Sequence, residues 1–444
     1  MQSTQKHALS RALLVSVHSP KVKETDTHES LAELSRLVTT LGFKVVGSCS
    51  QRQATTGAAF VVGMGKMKEL ANLTGNHGDL ESLQGAADDY TVQSTRDDGP
   101  MELADVVVFD CDLSPSQLRN VGNALGVEVL DRTGVIIEIF SRHARTRTAR
   151  LQVEIARLKY LVPRLRETQG GKNERQLGRG AGETALELDR RNVRDRLAEL
   201  RRELKDVQRE MQGRRSRRST EYCVALVGYT NAGKSSTMRA LTSSEVLVED
   251  KLFATLDTTV RALQPETQPR ILISDTVGFI KKLPHDLVAS FRSTLDEAHN
   301  AALLLYVVDA SDVNFRSQLE VVNQVLGDVG VQDIPSLLLL NKSDCLSEED
   351  KLNLAAEFPE AVMISTRNPQ DITALHQRIV AFCEMDMLEE DIVVPYTAKG
   401  VIGEVRASMR VLKEVYEADY IHLFVRAKCS DLERVKKLLA SAQS

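Results

Sequence analysis

Over residues 11–140 short apolar runs alternate with stretches of helical period. In order they are Ala12–Val17, Leu31–Leu41, Lys44–Val46, Ala59–Val62, Lys66–Leu73, Val106–Phe109, Pro115–Leu125, Val127–Leu130 and Val135–Phe140. That rhythm predicts a parallel α/β domain, here taken as residues 1–147. Residues 74–101 are rich in Gly, Asp and Ser without periodicity, which predicts a surface loop or insertion. Gly63-Met-Gly-Lys66 resembles half of a nucleotide fingerprint, a weak signal alone, and is read instead as a tight strand-to-helix turn.

From Thr148 to Val162 the pattern is helical, with Leu151, Ile155, Leu158 and Val162 on one stripe, and Pro163 is expected to end it. A Gly- and Arg-rich stretch, 164–182, leads to a second helix. There Leu186, Val193, Leu200 and Val207 share one heptad position, and Leu197, Leu204 and Met211 share the other. Two such helices around a basic tip predict a long antiparallel hairpin over 148–218. Packing of the seam against its own domain would explain the heptads equally well.

Residues 219–385 carry five further strand-like runs: Cys223–Val227, Ile271–Ser274, Leu303–Val308, Pro335–Leu340 and Ala361–Ile364. In the last segment, 386–444, the runs Ile392–Val394 and Tyr420–Val425 flank a helical stretch, Glu404–Glu417, and a helix over Leu432–Ala440 closes the chain. This reads as a small α+β domain.

Composition alters the picture in two places. The 444 residues, 42% hydrophobic and 27% charged, are those of an ordinary soluble chain of about three domains. Six cysteines are scattered without a C-x-x-C pair, which argues for reduced thiols in a cytoplasmic protein and against a zinc ribbon. The nine histidines do not cluster with them. No apolar run approaches the roughly 18 residues of a membrane helix. The strand-like Arg11–Val17 favours a mature N-terminus over a transit peptide. Net charge is −5, yet residues 142–218 hold 23 Lys and Arg against 11 Asp and Glu. A basic segment in an otherwise acidic chain is the footprint of a polyanion, most often nucleic acid.

The candidate chemistry lies in the third segment. Gly228-Tyr229-Thr230-Asn231-Ala232-Gly233-Lys234-Ser235 fits G-x-x-x-x-G-K-[ST] between a strand and a helix. Its glycines let backbone N–H groups face phosphates, Lys234 can neutralise the β/γ oxygens, and the Ser235 hydroxyl can ligate Mg²⁺. Phe253-Ala254-Thr255-Leu256-Asp257 is placed to close over that ion. Asp275-Thr276-Val277-Gly278 is a D-x-x-G, whose acid can reach Mg²⁺ through water and whose Gly278 N–H can sense the γ-phosphate. Asn341-Lys342-Ser343-Asp344 is an N-K-x-D. A carboxylate at Asp344 suits the N1–H and N2–H₂ donors of guanine, which adenine does not present, so GTP and GDP are the expected ligands. Ser365-Thr366, with Arg367 next, is placed to close over the guanine O6 side. Lys234, Asn231, Thr255 and Gly278 are the expected catalytic positions. The Asn231 side-chain carbonyl suits a hard cation, so K⁺ is a second candidate cofactor; an Asn that only stabilises the turn is the alternative.

These stretches together resemble the HflX-type GTPases of the Obg-like translation-factor group. The resemblance is carried by Gly63–Lys66, Leu113–Gln117, Asp131–Gly134 with Ile139-Phe140, Leu151–Ile155, Pro163–Leu165, Gly182–Thr184 and Asp189–Arg191. Gly228–Ser235, Leu252–Asp257 and Asp275–Phe279 complete it. It implies an N-terminal α/β domain with a helical hairpin and a Ras-like G domain, with Ser235 and Thr255 as Mg²⁺ ligands. It also implies a partner, the large ribosomal subunit with its ribosomal RNA, and an action that splits stalled or idle ribosomes; a role in large-subunit assembly is the alternative. A monomer is expected. The candidate RNA contacts are Arg164, Arg166, Lys172, Arg175 and Arg179 in the hairpin tip. That tip, Gly170 to Gly182, is shorter than is usual in the family.

Overall fold

The computed structural model describes residues 10–53, 59–75, 102–165, 185–216, 221–243, 252–253, 255–256, 258–284, 287, 297–331, 333–398 and 400–442. The chain forms two compact units, residues 1–205 with 284–290, and residues 206–283 with 291–444.

In the first unit the described elements are β1 (Arg11–His18), α1 (Glu24–Thr40), β2 (Lys44–Arg52), α2 (Met64–Thr74) and β3 (Val106–Phe109). They continue with α3 (Pro115–Leu125), β4 (Glu128–Asp131), α4 (Arg132–His143), α5 (Arg147–Leu165) and α6 (Ala185–Ser216), whose residues 206–216 belong to the second unit. The four strands are all parallel in the order β2-β1-β3-β4. Every residue of β3 is buried, as a strand covered on both faces requires. Leu13, Val15, Val107 and Phe109 share a core with Met67, Leu70, Val121 and Leu125 from the helices. Ser114 opens α3 through a capping box with Gln117, which satisfies two N-terminal donors at once. The apolar residues Ala59–Val62 form no strand; they make a turn, with Val61 at φ 62°, that leads into α2.

Two ion pairs report the direction of the paired helices. Arg147 reaches Glu203 at 3.5 Å, and Glu154 reaches Arg196 at 3.2 Å. Seven residues up α5 correspond to seven residues down α6, so the two run antiparallel. Leu200 of the seam is fully buried, while Val193, Leu197 and Leu204 are half-buried. Pro163 does not end the first of these helices, as its sequence suggested; α5 continues to Leu165. The proline falls in the last turn, where the following residue, Arg164, donates from Nη1 to the Tyr160 carbonyl at 2.6 Å and secures it. Residues 166–184, including Arg166, Lys172, Arg175 and Arg179, lie outside the described residues.

The second unit holds β5 (Tyr222–Gly228), α7 (Lys234–Thr242), β6 (Thr259–Ala262), β7 (Ile271–Asp275) and β8 (Leu303–Asp309). These are followed by α8 (Phe315–Val329), β9 (Ser336–Asn341), α9 (Glu348–Glu357), β10 (Val362–Met363) and α10 (Pro369–Glu384). The sheet order is β10-β9-β8-β5-β7-β6, parallel except for β6, which pairs antiparallel to β7 at the edge. No sequence pattern announced β6, because its four residues are half exposed and carry no apolar run. Central β5 is buried almost throughout, among Ile273, Leu305, Met238 and Leu241.

A separate antiparallel sheet follows in the order β11-β13-β12, from β11 (Leu388–Pro395), β12 (Arg410–Tyr416) and β13 (Tyr420–Ala427), with α11 (Val401–Ser408) and α12 (Cys429–Ala442). The stretch expected to be one helix, Glu404–Glu417, is therefore half helix and half strand. Val411 and Val415 sit opposite Val425 and His422. Pairing with a distant strand overrides a local helical pattern in a way that no short window reveals. Among the described residues no helix is long and apolar enough to cross a membrane.

Candidate nucleotide-binding site

The site lies where β5, at the middle of its sheet, delivers the chain to α7, the usual place for a ligand in an α/β fold. Gly228 has φ +153°, and a Cβ there would run into the Val307 carbonyl. Gly233 has φ +100°, and a Cβ there would displace the Asn341 amide. Both positions thus demand glycine for space as well as for backbone angle. The loop is fastened to the segment after β7: Thr230 N–H donates to Phe279 O at 2.8 Å, and Phe279 N–H to Gly228 O at 3.2 Å. Phe279 itself is buried and acts as an anchor. Lys281 N–H adds a bond to the Tyr229 hydroxyl at 2.7 Å. Asn231 takes a left-handed turn, φ 62°, and is exposed.

Lys234 begins α7 and is buried, donating to the Gly228 and Tyr229 carbonyls at 3.0 and 2.7 Å. Burial pushes its ammonium down to about 8, against the opposing pull of Asp275. A cation so little hydrated is poised to exchange loop carbonyls for phosphate oxygens. Asp275, at the end of β7, is fully buried, and burial drives its carboxyl upward, opposed by Lys234 and by the Ser235 hydroxyl. Ser235 Oγ lies 2.7 Å from Asp275 Oδ2 and 2.7 Å from Thr255 Oγ1. Among the described residues, the buried Asp275 Oδ1 and Thr230 Oγ1 have no hydrogen-bond partner. Two hydroxyls and a carboxylate with an orphaned oxygen are a hard donor set, so the residues fit Mg²⁺.

The other predicted residues fall into distinct roles. Phe253 (φ 59°) and Leu256 are buried on either side of Thr255. Ala254 and Asp257 lie outside the described residues. Thr276 is committed to the sheet, donating to Leu226 O at 2.7 Å, and Val277 is buried. Gly278 leaves no room for a side chain: a Cβ would lie 2.8 Å from Thr230 Cγ2 and 3.1 Å from Lys234 Nζ.

Asn341 joins the two halves of the site. Its Nδ2 donates to Ala232 O at 2.8 Å, and among the described residues its buried Oδ1 has no hydrogen-bond partner. Lys342 follows at φ 61°, and Ser343–Cys345 form one 3₁₀ turn that presents Asp344. Ser365 Oγ donates to Asp344 Oδ1 at 2.7 Å, and the highly exposed Arg367 reaches Oδ2 at 3.4 Å. The Ser365 hydrogen bond, with help from Arg367, holds the Asp344 carboxyl below its ordinary range, ready as an anionic acceptor. Thr366 is half-buried beside them. Two acids escaped the sequence reading. Asp371 accepts from Ser365 N–H at 2.8 Å, and Asp309 pairs with Lys342 at 2.6 Å. Neither belongs to a motif, and only the strand ending at Asp309 hinted at the second.

In the first unit Arg164 is committed internally. Its Nη2 lies 2.8 Å from the buried Asp131 Oδ2, and its guanidinium stacks 3.3 Å above the Tyr160 ring.

A G-x-x-x-x-G-K-S loop with a buried lysine, hydroxyls converging on an acid, and an N-K-x-D turn define a P-loop GTPase. Residues 223–342 match the family described as 50S ribosome-binding GTPase. Residues 143–218 match the GTP-binding GTPase middle region, and residues 28–83 and 91–141 the GTP-binding GTPase N-terminal region. The chain is 54% identical to GTPase HflX of Gluconacetobacter diazotrophicus, across 97% of this chain and 98% of that one. It is 35% identical to GTPase HflX of Escherichia coli over 96% of each. A solved GTP-binding protein from Sulfolobus solfataricus in complex with GDP matches at 22% identity over 84% of this chain and 98% of that one, with TM-score 0.44. The chain belongs to the HflX GTPase family.

Proposed function

We propose that this GTPase binds the large ribosomal subunit and separates the subunits of stalled or idle ribosomes under stress. The observation that carries the reading is the match of residues 223–342 to 50S ribosome-binding GTPases. The positive excess over residues 142–218 supports it, since ribosomal RNA is the polyanion such a segment would meet. The protein works as a cytoplasmic monomer, in part ribosome-bound.

At the site, Lys234 moves its donors from the loop carbonyls to the β/γ-phosphate oxygens. Ser235 and Thr255 would hold Mg²⁺, which when bound would supply charge neutralisation at the phosphates. Asp344 accepts the guanine donors, with Ser365 and Asn341 fixing the pocket around it. Gly278 offers its N–H to the γ-phosphate, because no side chain stands in the way. Phe279 occupies the position where many signalling GTPases carry a water-orienting side chain, and a buried ring cannot polarise water. Hydrolysis by the protein alone is therefore slow, and the ribosome raises it by about an order of magnitude or more.

Sedimentation of whole ribosomes with the purified protein and a non-hydrolysable GTP analogue tests the reading. Separated subunits are expected. An unchanged ribosome peak transfers the role to large-subunit assembly, and equal hydrolysis with and without ribosomes refutes the incomplete site.

A further inference from the structure

Lys342 Nζ lies 2.6 Å from Asp309 Oδ2, with the two side chains 32% and 17% exposed. Asp309 ends β8 directly opposite Asn341, the residue before Lys342, so the pair is built by strand register. The other carboxylate oxygen is also engaged: Asp309 Oδ1 accepts from the Ser311 backbone N–H at 3.1 Å and from its hydroxyl at 2.6 Å. Lys342 is further restricted by its left-handed backbone, φ 61° and ψ 34°. On one side it follows the residue tied to the phosphate loop; on the other it precedes the base-reading Asp344 by two positions.

We propose that Asp309 is a positioning residue for guanine nucleotides. It fixes the Lys342 side chain as a wall of the base pocket against which the purine ring packs, and thereby sets how long the nucleotide stays bound. This rests on reading 228–235 and 341–344 as the nucleotide site. A lysine stem left to itself samples many rotamers, and a bound ring would have to select one of them. The short charge-assisted contact to Asp309 makes that selection before the nucleotide arrives. A held ammonium beside a purine face also gains from the attraction between a cation and a π-system. The competing role is purely structural, with Asp309 only bracing the Ser311 turn.

Release of a fluorescent GDP analogue from the full chain separates the two. Asp309→Asn keeps the shape and an acceptor for Ser311 but removes the charge. It is expected to speed release by about three- to tenfold, the cost of immobilising one flexible side chain. Asp309→Glu, which restores the charge, is expected to release slowly again. Lys342→Met is expected to speed release at least as much, and the double variant Asp309→Asn/Lys342→Met no more than Lys342→Met alone. The affinity ratio of GDP to inosine diphosphate stays unchanged in Asp309→Asn, because Asp344 reads the amino group that distinguishes them. Multiplying effects in the double variant, or wild-type release from Asp309→Asn, overturns the proposal. Wild-type protein without affinity for GDP overturns the site reading itself, a result distinct from either.

Discussion

Asp131 Oδ2 accepts from Arg164 Nη2 at 2.8 Å, across a gap of 33 residues in the chain. The same carboxylate, with no exposed surface, accepts from Leu113 N–H at 3.3 Å, Gly134 N–H at 2.7 Å and the Tyr160 hydroxyl at 2.6 Å. One acid therefore caps the start of α4 and grips α5 near its end. Burial, then the Asp131 charge, pushes the Tyr160 phenol well above its ordinary range, so it remains a neutral donor. Removing the acid strands a half-buried cation. Asp131→Ala is expected to cost about 3–5 kcal/mol, the range for breaking a buried pair from one side. Denaturant unfolding measures it; a loss below about 1 kcal/mol would show the network to be dispensable.

That grip separates Arg164 from the remaining tip cations. Arg164→Ala should lower stability, whereas Arg175→Ala with Arg179→Ala should weaken ribosome binding and flatten its salt dependence. With fewer cations to neutralise phosphates, fewer counterions are released on binding. GTP affinity of the free protein should be unaffected by the double change. Ribosome affinity that is the same across a salt series would show that the tip cations serve solubility alone.

Phosphate and base recognition can be dissected by two substitutions. Lys234→Ala is expected to abolish hydrolysis and to weaken GTP binding strongly, because the buried cation at the loop disappears. Asp344→Asn exchanges an acceptor for a donor and should turn preference from guanine to xanthine nucleotides. Competition between GTP and XTP decides: continued preference for GTP places the base elsewhere.

Asn231 carries the expectation of a K⁺ requirement. Its left-handed φ of 62° is a conformation asparagine tolerates well, which accounts for the residue without any ion. If the side-chain carbonyl holds K⁺, replacing K⁺ by Na⁺ slows hydrolysis and Asn231→Ala erases the difference. Equal rates in both salts for the wild type refute it.

The cysteines offer a probe of the base pocket. Cys345 is exposed, with its sulfur 3.9 Å from Asp344 Oδ2, so bound GDP should protect it from alkylation. Burial pushes the Cys383 thiol up to about 12 and the Cys49 thiol up to about 11. Thiolate is the reacting form, so at pH 8 both should stay silent until the protein unfolds. Mass spectrometry after timed labelling gives the order; unchanged Cys345 labelling in saturating GDP contradicts the pocket assignment.

Much of this protein was legible in order along the chain. The phosphate loop, D-x-x-G and N-K-x-D are local spacings whose chemistry depends on neighbouring residues, so reading them required no fold. Runs such as Val106–Phe109 and Cys223–Val227 likewise announced strands buried on both faces. Tertiary structure decided what depends on partners distant in sequence. The charge of Arg164 suggested RNA until β4 brought Asp131 beneath it. Residues 410–416 matched a helical pattern until β13 gave them a strand to pair with. Asp309 had no motif at all and acquired a role only because β8 and β9 pair in register, setting its carboxylate against Lys342. A local pattern states what a residue can do; the register of distant strands determines which other residue it meets.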